Sequence, residues 1–137
     1  MEKKFTKMYL MNSAVIPQNE NGLFQHNTIS REMYCRLLKL ALAERVEIES
    51  YVGYQETANN IREITGYDPV ISRDIVLRLK QQTPILVCRL QYRVQNPKDK
   101  ALHTPSKDDW SYSLMMKIAE NSFNFDNFYL SFGGNHE

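Results

Sequence analysis

Apolar and polar positions along this 137-residue chain recur with two different periods. Alternation with a period of two and short continuous apolar runs are both typical of strands. These two patterns predict strands over residues 4–11, 46–52, 74–80, 85–94 and 123–132, with a short extended piece at 23–28. A period of about 3.6 is typical of helices, which it predicts over residues 30–43, 54–65 and 107–120.

Polar residues and glycine at the ends of these segments support the predicted helices. Ser30 precedes the first helix as an N-cap, and Gly66 follows the second at a position where glycine commonly ends a helix. Ser106-Lys-Asp-Asp109 has the form of a capping box for the third helix. Apolar residues of that segment repeat every four positions, at Trp110, Leu114 and Ile118.

Together these segments predict an α+β protein with a single domain over residues 1–137, frayed at 1–3 and 133–137. We expect one mixed β-sheet of about five strands, with three short helices on one face. The other face is predicted to be open to a partner or a ligand. In the last strand, Asp126-Asn127 indicates a bulge.

Composition and charge narrow the function classes. The net charge of +1 argues against general binding to long DNA or RNA, which needs a strongly basic face. No apolar run approaches the roughly 18 residues of a membrane span, so we expect no membrane partner and a cytoplasmic protein. Cys35 and Cys88 are predicted to be small core residues, and the scattered histidines indicate neither a metal site nor a cofactor.

The first predicted strand ends at a polar pair. Asn12 and Ser13 follow the apolar run that begins at Phe5, and Pro17 ends regular pairing because it has no amide hydrogen. Polar groups at the carboxyl ends of strands often contact ligands in open α/β sheets. The alternative is that this pair only turns the chain.

Two further features indicate a site for an anion. Gly53-Tyr54-Gln55-Glu56-Thr57 begins the second helix, whose amino terminus presents amide hydrogens and a partial positive charge to a phosphate. Arg73, Arg89 and Arg93 lie on or beside neighbouring predicted strands, and guanidinium groups bind phosphate oxygens bidentately. The alternative is that these arginines belong to a solvated sheet face.

Several of these segments share their order and spacing with a known family. They are Asn12-Ser13-Ala14 after a strand, Gly53-Tyr54-Gln55-Glu56-Thr57-Ala58 at a helix start, Arg73 before a strand and Arg93 at the end of the next. In these features, which span residues 5–95, the chain resembles the viral ring nucleases, type III anti-CRISPR proteins of archaeal viruses and phages. The resemblance implies a homodimer that binds cyclic tetra-adenylate between its two chains and cleaves it without a metal.

The resemblance also assigns roles to residues and exposes one departure. Arg73 and Arg93 match the family's ligand-binding arginines, and Gly53 matches the glycine before its catalytic histidine. This chain has Tyr54 in place of that histidine and Gln55 in place of an acidic residue, while a second acidic position aligns near Asn96. Tyr54 then has three possible roles: a catalytic phenol, a platform that stacks on a base, or simple packing at the helix start.

Two functions follow from these observations. The first is binding of a cyclic oligonucleotide second messenger, cyclic tetra-adenylate or a relative, by a protein that antagonises nucleotide-signalled antiviral defence in the host cytoplasm. It would act by sequestration or by weak ring cleavage. The alternative is a protein-binding inhibitor or accessory protein of a phage or mobile element, with a defence-system protein as its partner and no nucleotide activity.

Overall fold

The computed structural model of the protein describes residues 5–14, 16, 20–74, 79–91, 107–120, 125–131 and 133. It is α+β, with one mixed five-stranded sheet, as the sequence predicts. The strands are β1 Lys7–Met11, β2 Leu23–Ile29, β3 Glu47–Tyr51, β4 Ile85–Leu90 and β5 Trp110–Ala119. The helices are α1 Arg31–Ala43, α2 Gln55–Thr65 and the seven-residue α3 Phe125–Ser131.

The strand order in the sheet is β2-β5-β4-β1-β3. The strand β1 lies between β3 and β4 and is parallel to both, whereas β5 is antiparallel to β4 and to β2. The three parallel strands β1, β3 and β4 therefore end on the same side of the sheet, which we call its carboxyl edge. That edge carries the residues that follow Met11, Tyr51 and Leu90.

Helices α1 and α2 form as their sequences predict and bury one face of the sheet. The side chain of Ser30 accepts a hydrogen bond from the amide of Met33 at 3.0 Å and caps α1. Gly66 ends α2 with a φ of 81°, a left-handed conformation that favours glycine. The largest core cluster lies between the sheet and these helices; it includes Leu10, Tyr34, Leu38, Ile61, Leu86 and Trp110.

The other face of the sheet is not open, which corrects the prediction for its central part. Tyr9, Ile85, Val87 and Met115 point away from the two helices, yet each is at most 3% exposed. They pack in a second cluster with Leu79, which precedes β4. Because alternate residues of β1 and β4 are buried on both faces, these strands read as continuous apolar runs.

The predicted third helix, over 107–120, is wrong: the segment forms a short 3₁₀ turn at Lys107–Asp109 and then β5. Trp110 and Leu114 are four residues apart. That spacing places two side chains on the same face of a strand, whose period is two, and also on the same face of a helix, whose period is about 3.6. The strand period places Trp110, Tyr112 and Leu114 on the helix side, and Met115 on the other. Pairing with both β2 and β4 settles the ambiguity in favour of a strand.

The predicted last strand over 123–132, with a bulge at Asp126-Asn127, is also wrong, since Phe125–Ser131 is helical. Asp126 lies in the first turn, where a carboxylate favours a helix through its dipole. Residues 121–124 and 134–137 lie outside the described residues. In the predicted strand 74–80, Asp74, Leu79 and Lys80 are not in a strand, and residues 75–78 lie outside the described residues. The predicted strand 85–94 is observed as β4, which ends at Leu90; residues 92–94 lie outside the described residues.

The two cysteines are free, and of the two only Cys88 is the buried core residue that the sequence predicts. Cys88 is fully buried, and burial raises the pKa of its thiol to about 12. Cys35 is half-buried and donates its thiol hydrogen to the carbonyl oxygen of Ile64. Within the described ranges, no helix has the length and apolarity that crossing a bilayer requires.

Candidate functional site

Asn12 and Gly53 are brought together by the parallel pairing of β1 with β3. The last pair in this register is Met11 with Tyr51, so the chain leaves both strands at the same edge. The side-chain oxygen Oδ1 of Asn12 accepts a hydrogen bond from the amide of Gly53 at 2.9 Å. Asn12 thus fixes the loop that leads from β3 into α2.

Arg73 reaches the same loop along a short extended segment. Ile71 forms a parallel bridge with Val52, and the amide of Ser72 donates to the carbonyl oxygen of Val52 at 2.8 Å. The next residue, Arg73, donates from Nε to the carbonyl oxygen of Gly53 at 3.1 Å. Both peptide groups of Gly53 are therefore held by side chains, one from β1 and one from this segment.

Gly53 is buried and closely surrounded. A Cβ atom at this position would lie 3.3 Å from Cγ of Arg73 and 3.6 Å from the carbonyl oxygen of Ser72. The first distance is shorter than ordinary van der Waals contact, so a side chain would displace the stem of Arg73. An alanine at this position would therefore require the Arg73 stem, which packs directly on the backbone, to shift by a few tenths of an ångström.

Tyr54 and Arg73 form an exposed pair of a ring and a cation. The guanidinium carbon of Arg73 lies 5.5 Å from the centroid of the Tyr54 ring, within the range of a cation–π contact. The Tyr54 side chain is 50% exposed. The exposed part of the ring can therefore stack on a planar group.

The amino terminus of α2 lies next to this pair. Tyr54 is its N-cap, with an extended backbone, and its side chain does not cap the helix. The helix dipole places partial positive charge beside the guanidinium group. Acidic residues lie nearby in the chain: Glu56 is two residues after Tyr54, and Asp74 directly follows Arg73. The positive potential is therefore confined to this site and does not extend over a broad basic surface.

Other residues of the predicted site are placed less directly. Thr57 is 3% exposed, so its side chain belongs to the core. Gln55 donates from its side chain to Asn59 one turn further along α2. Ser13 is half-buried and follows β1, whose last residue, Met11, pairs with Val87 of β4. Arg89 is exposed and lies two residues beyond Val87. Ser13 and Arg89 therefore lie at the same ends of the parallel strands as Asn12 does. Arg93 lies outside the described residues.

Tyr51 supplies a second tyrosine near this edge. Burial is the main cause that raises its pKa to about 12, and the nearby Glu49 carboxylate adds to the effect. Its ring contacts that of Tyr9 on the face opposite the helices, at a centroid distance of 6.0 Å. The Tyr51 phenol therefore stays neutral at physiological pH.

The supporting roles of Asn12 and Arg73 were not visible in the sequence. Asn12 lies 41 residues from Gly53, and Arg73 lies 20 residues from it, so no local pattern marks either contact. The bridge at Val52 and Ile71 belongs to no regular strand. The sequence identified Asn12 and Arg73 only as groups that would contact a ligand.

Comparison with known proteins places this fold. It is similar to that of B116 of Sulfolobus turreted icosahedral virus (STIV), with a TM-score of 0.57 and 15% sequence identity; the match covers 80% of this chain and 98% of the B116 chain. No curated protein sequence matches this one significantly. The family model described as STIV B116-like matches residues 8–114, well over half of the sequence. The chain therefore belongs to the STIV B116-like family.

Proposed function

We propose that this protein binds a cyclic oligonucleotide second messenger, cyclic tetra-adenylate or a relative, and so antagonises type III CRISPR or similar nucleotide-signalled defence in the host cytoplasm. The observation that carries the proposal is the pairing of Arg73 with the half-exposed Tyr54 ring at the start of α2. A cation beside an aromatic face suits a ligand that alternates phosphates with planar bases.

The geometry of Arg73 supports a role in phosphate binding. Its Nε atom is used on the carbonyl oxygen of Gly53, which aims the guanidinium plane and leaves the two Nη groups to contact phosphate oxygens. The amino terminus of α2 adds a partial positive charge on the same side. The resemblance to ring nucleases adds Arg93 and a second copy of the chain, which completes the pocket in a homodimer.

Sequestration fits the residues better than cleavage. Metal-independent ring cleavage needs attack by a ribose 2′-hydroxyl and an acid that protonates the leaving 5′-oxygen. Positioned acid catalysis is worth about 10²–10⁴-fold and is most efficient with a group whose pKa lies near the working pH, as that of the imidazole in the resembled family does. Tyr54 instead offers an aromatic face, on which stacking of one base contributes roughly 1–3 kcal/mol.

Calorimetry against cyclic di-, tri-, tetra- and hexanucleotides tests this function, with chromatography of the same samples to detect linear products. We expect one ring size to bind and to be recovered intact after denaturation of the protein. Arg62→Ala is the matched control for Arg73→Ala, because Arg62 is an exposed arginine in the last turn of α2. Absence of binding to every cyclic nucleotide would refute the proposal.

A protein-binding inhibitor is the second candidate, and the exposed apolar residues of α1 favour it. Leu40 is 56% exposed, and Met33 on the same helix is 38% exposed. The two residues are seven positions apart, about two helical turns, so they lie on the same side of α1, where a protein partner would cover both. Under this alternative the partner is a defence-system protein, and neither Arg73→Ala nor Tyr54→Phe affects its binding, whereas Leu40→Lys weakens it.

A further inference from the structure

Ser50 interrupts an apolar series along β3. Side chains of an extended chain alternate between its two faces, so Ile48, Ser50 and Val52 lie on the same side. Val52 is fully buried in the core cluster between the sheet and the helices, and Ile48 packs against that cluster. Ser50 lies between them and is half-buried. A hydroxyl in a series of core positions indicates a specific hydrogen-bonding role.

The Ser50 hydroxyl joins two segments of the chain. It donates its hydrogen to the carbonyl oxygen of Val70 at 2.6 Å and accepts a hydrogen bond from the amide of Val52 at 3.3 Å. A hydroxyl can do both at once, because its hydrogen and its lone pairs point in different directions. Ser50 therefore ties β3 to the segment that carries Arg73.

Hydrogen bonds hold this segment more than buried side chains do. Val70 is 71% exposed and Ile71 is 41% exposed, so neither residue buries much apolar surface. Three hydrogen bonds join the segment to β3 and to the loop that follows it: from Ser50 to Val70, from Ser72 to Val52, and from Arg73 to Gly53. The bond of Ser50 comes first along the segment, so it fixes where the segment meets β3.

We propose that Ser50 is a positioning residue for Arg73. By holding Val70 against β3, it sets where the guanidinium group lies relative to Gly53 and Tyr54. Only three residues lead from Val70 to Arg73, a reach of about 10 Å in an extended chain, so a displacement at Val70 moves the arginine as well. The use of Arg73 in nucleotide binding rests on the proposed function, whereas its placement on Gly53 does not.

The variants Ser50→Ala and Ser50→Thr separate the hydroxyl from the rest of the side chain. Alanine removes both hydrogen bonds, whereas threonine keeps a hydroxyl and is favoured in strands. Ser30→Ala is the matched control, because it also removes one serine hydrogen bond, from the cap of α1. It lowers stability without changing a contact of the segment that carries Arg73.

The first measurement is the rate at which the Arg73 Nε hydrogen exchanges with water, followed by NMR without nucleotide. We expect exchange about tenfold faster in Ser50→Ala, because the bond to the Gly53 carbonyl opens more often. Ser50→Thr and Ser30→Ala should exchange at the wild-type rate. An unchanged rate in Ser50→Ala would overturn the proposal. An equal rise in Ser30→Ala would also overturn it, because lost stability alone would then explain the effect.

The second measurement is calorimetry with cyclic tetra-adenylate. Ser50→Ala should weaken binding by about fivefold, less than Arg73→Ala does, because the arginine remains but must be ordered on binding. In the Arg73→Ala background the same substitution should cause no further loss; a further loss would contradict action through Arg73. If the wild type does not bind this nucleotide, the proposed function fails, and the exchange rates alone decide whether Ser50 places Arg73.

Discussion

Arg73 donates a hydrogen bond from Nε to the carbonyl oxygen of Gly53, across a distance of 3.1 Å. The same guanidinium group lies 5.5 Å from the ring centroid of Tyr54, the residue after Gly53. One arginine therefore orders the loop before α2 and pairs with its exposed aromatic residue. In the proposed function its outer nitrogens also contact phosphate, so loop order and ligand affinity depend on the same side chain.

Gly53→Ala should weaken cyclic-nucleotide binding, because the added Cβ would lie 3.3 Å from Cγ of Arg73 and would move its stem. We expect a loss of about tenfold, comparable to one hydrogen bond to a charged group. Calorimetry of Gly53→Ala, Arg73→Ala and the double variant checks the mechanism. If glycine acts through the arginine, the double variant binds no more weakly than Arg73→Ala. Additive losses would contradict it.

Tyr54 distinguishes a protein that sequesters its ligand from a nuclease. Tyr54→Phe keeps the aromatic face and should bind within about twofold of wild type if the ring only stacks. Tyr54→His restores an imidazole, whose ordinary pKa of about 6.5 suits acid catalysis, and should produce slow cleavage. Chromatography of the nucleotide after long incubation measures both. Linear products that form with wild type and disappear with Tyr54→Phe would show instead that the phenol is catalytic.

Removal of one partner from a buried ion pair should destabilise the fold strongly, because it leaves the other charge buried and uncompensated. Lys117 of β5 contacts Glu20, with both side chains at most 5% exposed, and also pairs with Glu120, whose side chain is 64% exposed. Glu20 in addition accepts a hydrogen bond from the amide of Leu79. Glu20→Gln should lower the free energy of unfolding clearly more than Glu120→Gln, because it leaves a buried ammonium group without its main partner. Urea unfolding of both variants checks this; equal effects would contradict it.

The same pair predicts a dependence on pH. The hydrogen bond to Glu20, and then that to Glu120, raises the pKa of Lys117 above its ordinary 10.5. The folded state therefore holds this proton more tightly, and its stabilisation is complete below that ordinary pKa and is lost as the pH rises through the higher folded value. The stability difference between wild type and Glu20→Gln should shrink in strongly alkaline solution.

Two tyrosines in the helix-side core should respond oppositely to loss of their hydroxyl groups. The Tyr34 hydroxyl is buried, and the described residues offer it no hydrogen-bond partner, whereas the Tyr112 hydroxyl accepts from Asn60 at 3.0 Å. Tyr34→Phe should raise the free energy of unfolding by about 1 kcal/mol, and Tyr112→Phe should lower it by a similar amount. Urea unfolding measures both. A destabilised Tyr34→Phe would show that the hydroxyl is hydrogen-bonded, for example to a buried water.

Local patterns in the sequence correctly predicted those helices and strands whose apolar residues fit only one of the two periods. Ser30 and Gly66 marked the ends of α1 and α2 correctly, because caps act within a few residues. The strand β5 was mistaken for a helix because Trp110 and Leu114 fit both periods, and only pairing with β2 and β4 decides between them. The contacts of Asn12 and Arg73 with Gly53 depend on chain topology, so the sequence could indicate candidate residues but not how they hold one another.

The most direct test of the proposed function is a titration of the wild-type protein with cyclic tetra-adenylate, in parallel with Arg73→Ala and the control Arg62→Ala. Because a hydrogen bond to a charged group contributes roughly 1.5–3 kcal/mol, Arg73→Ala should weaken binding by more than tenfold. Arg62→Ala should bind as wild type does. If the wild type does not bind cyclic tetra-adenylate, or if Arg73→Ala binds it as tightly as Arg62→Ala does, the loop held by Gly53 and Arg73 is not a site for this nucleotide.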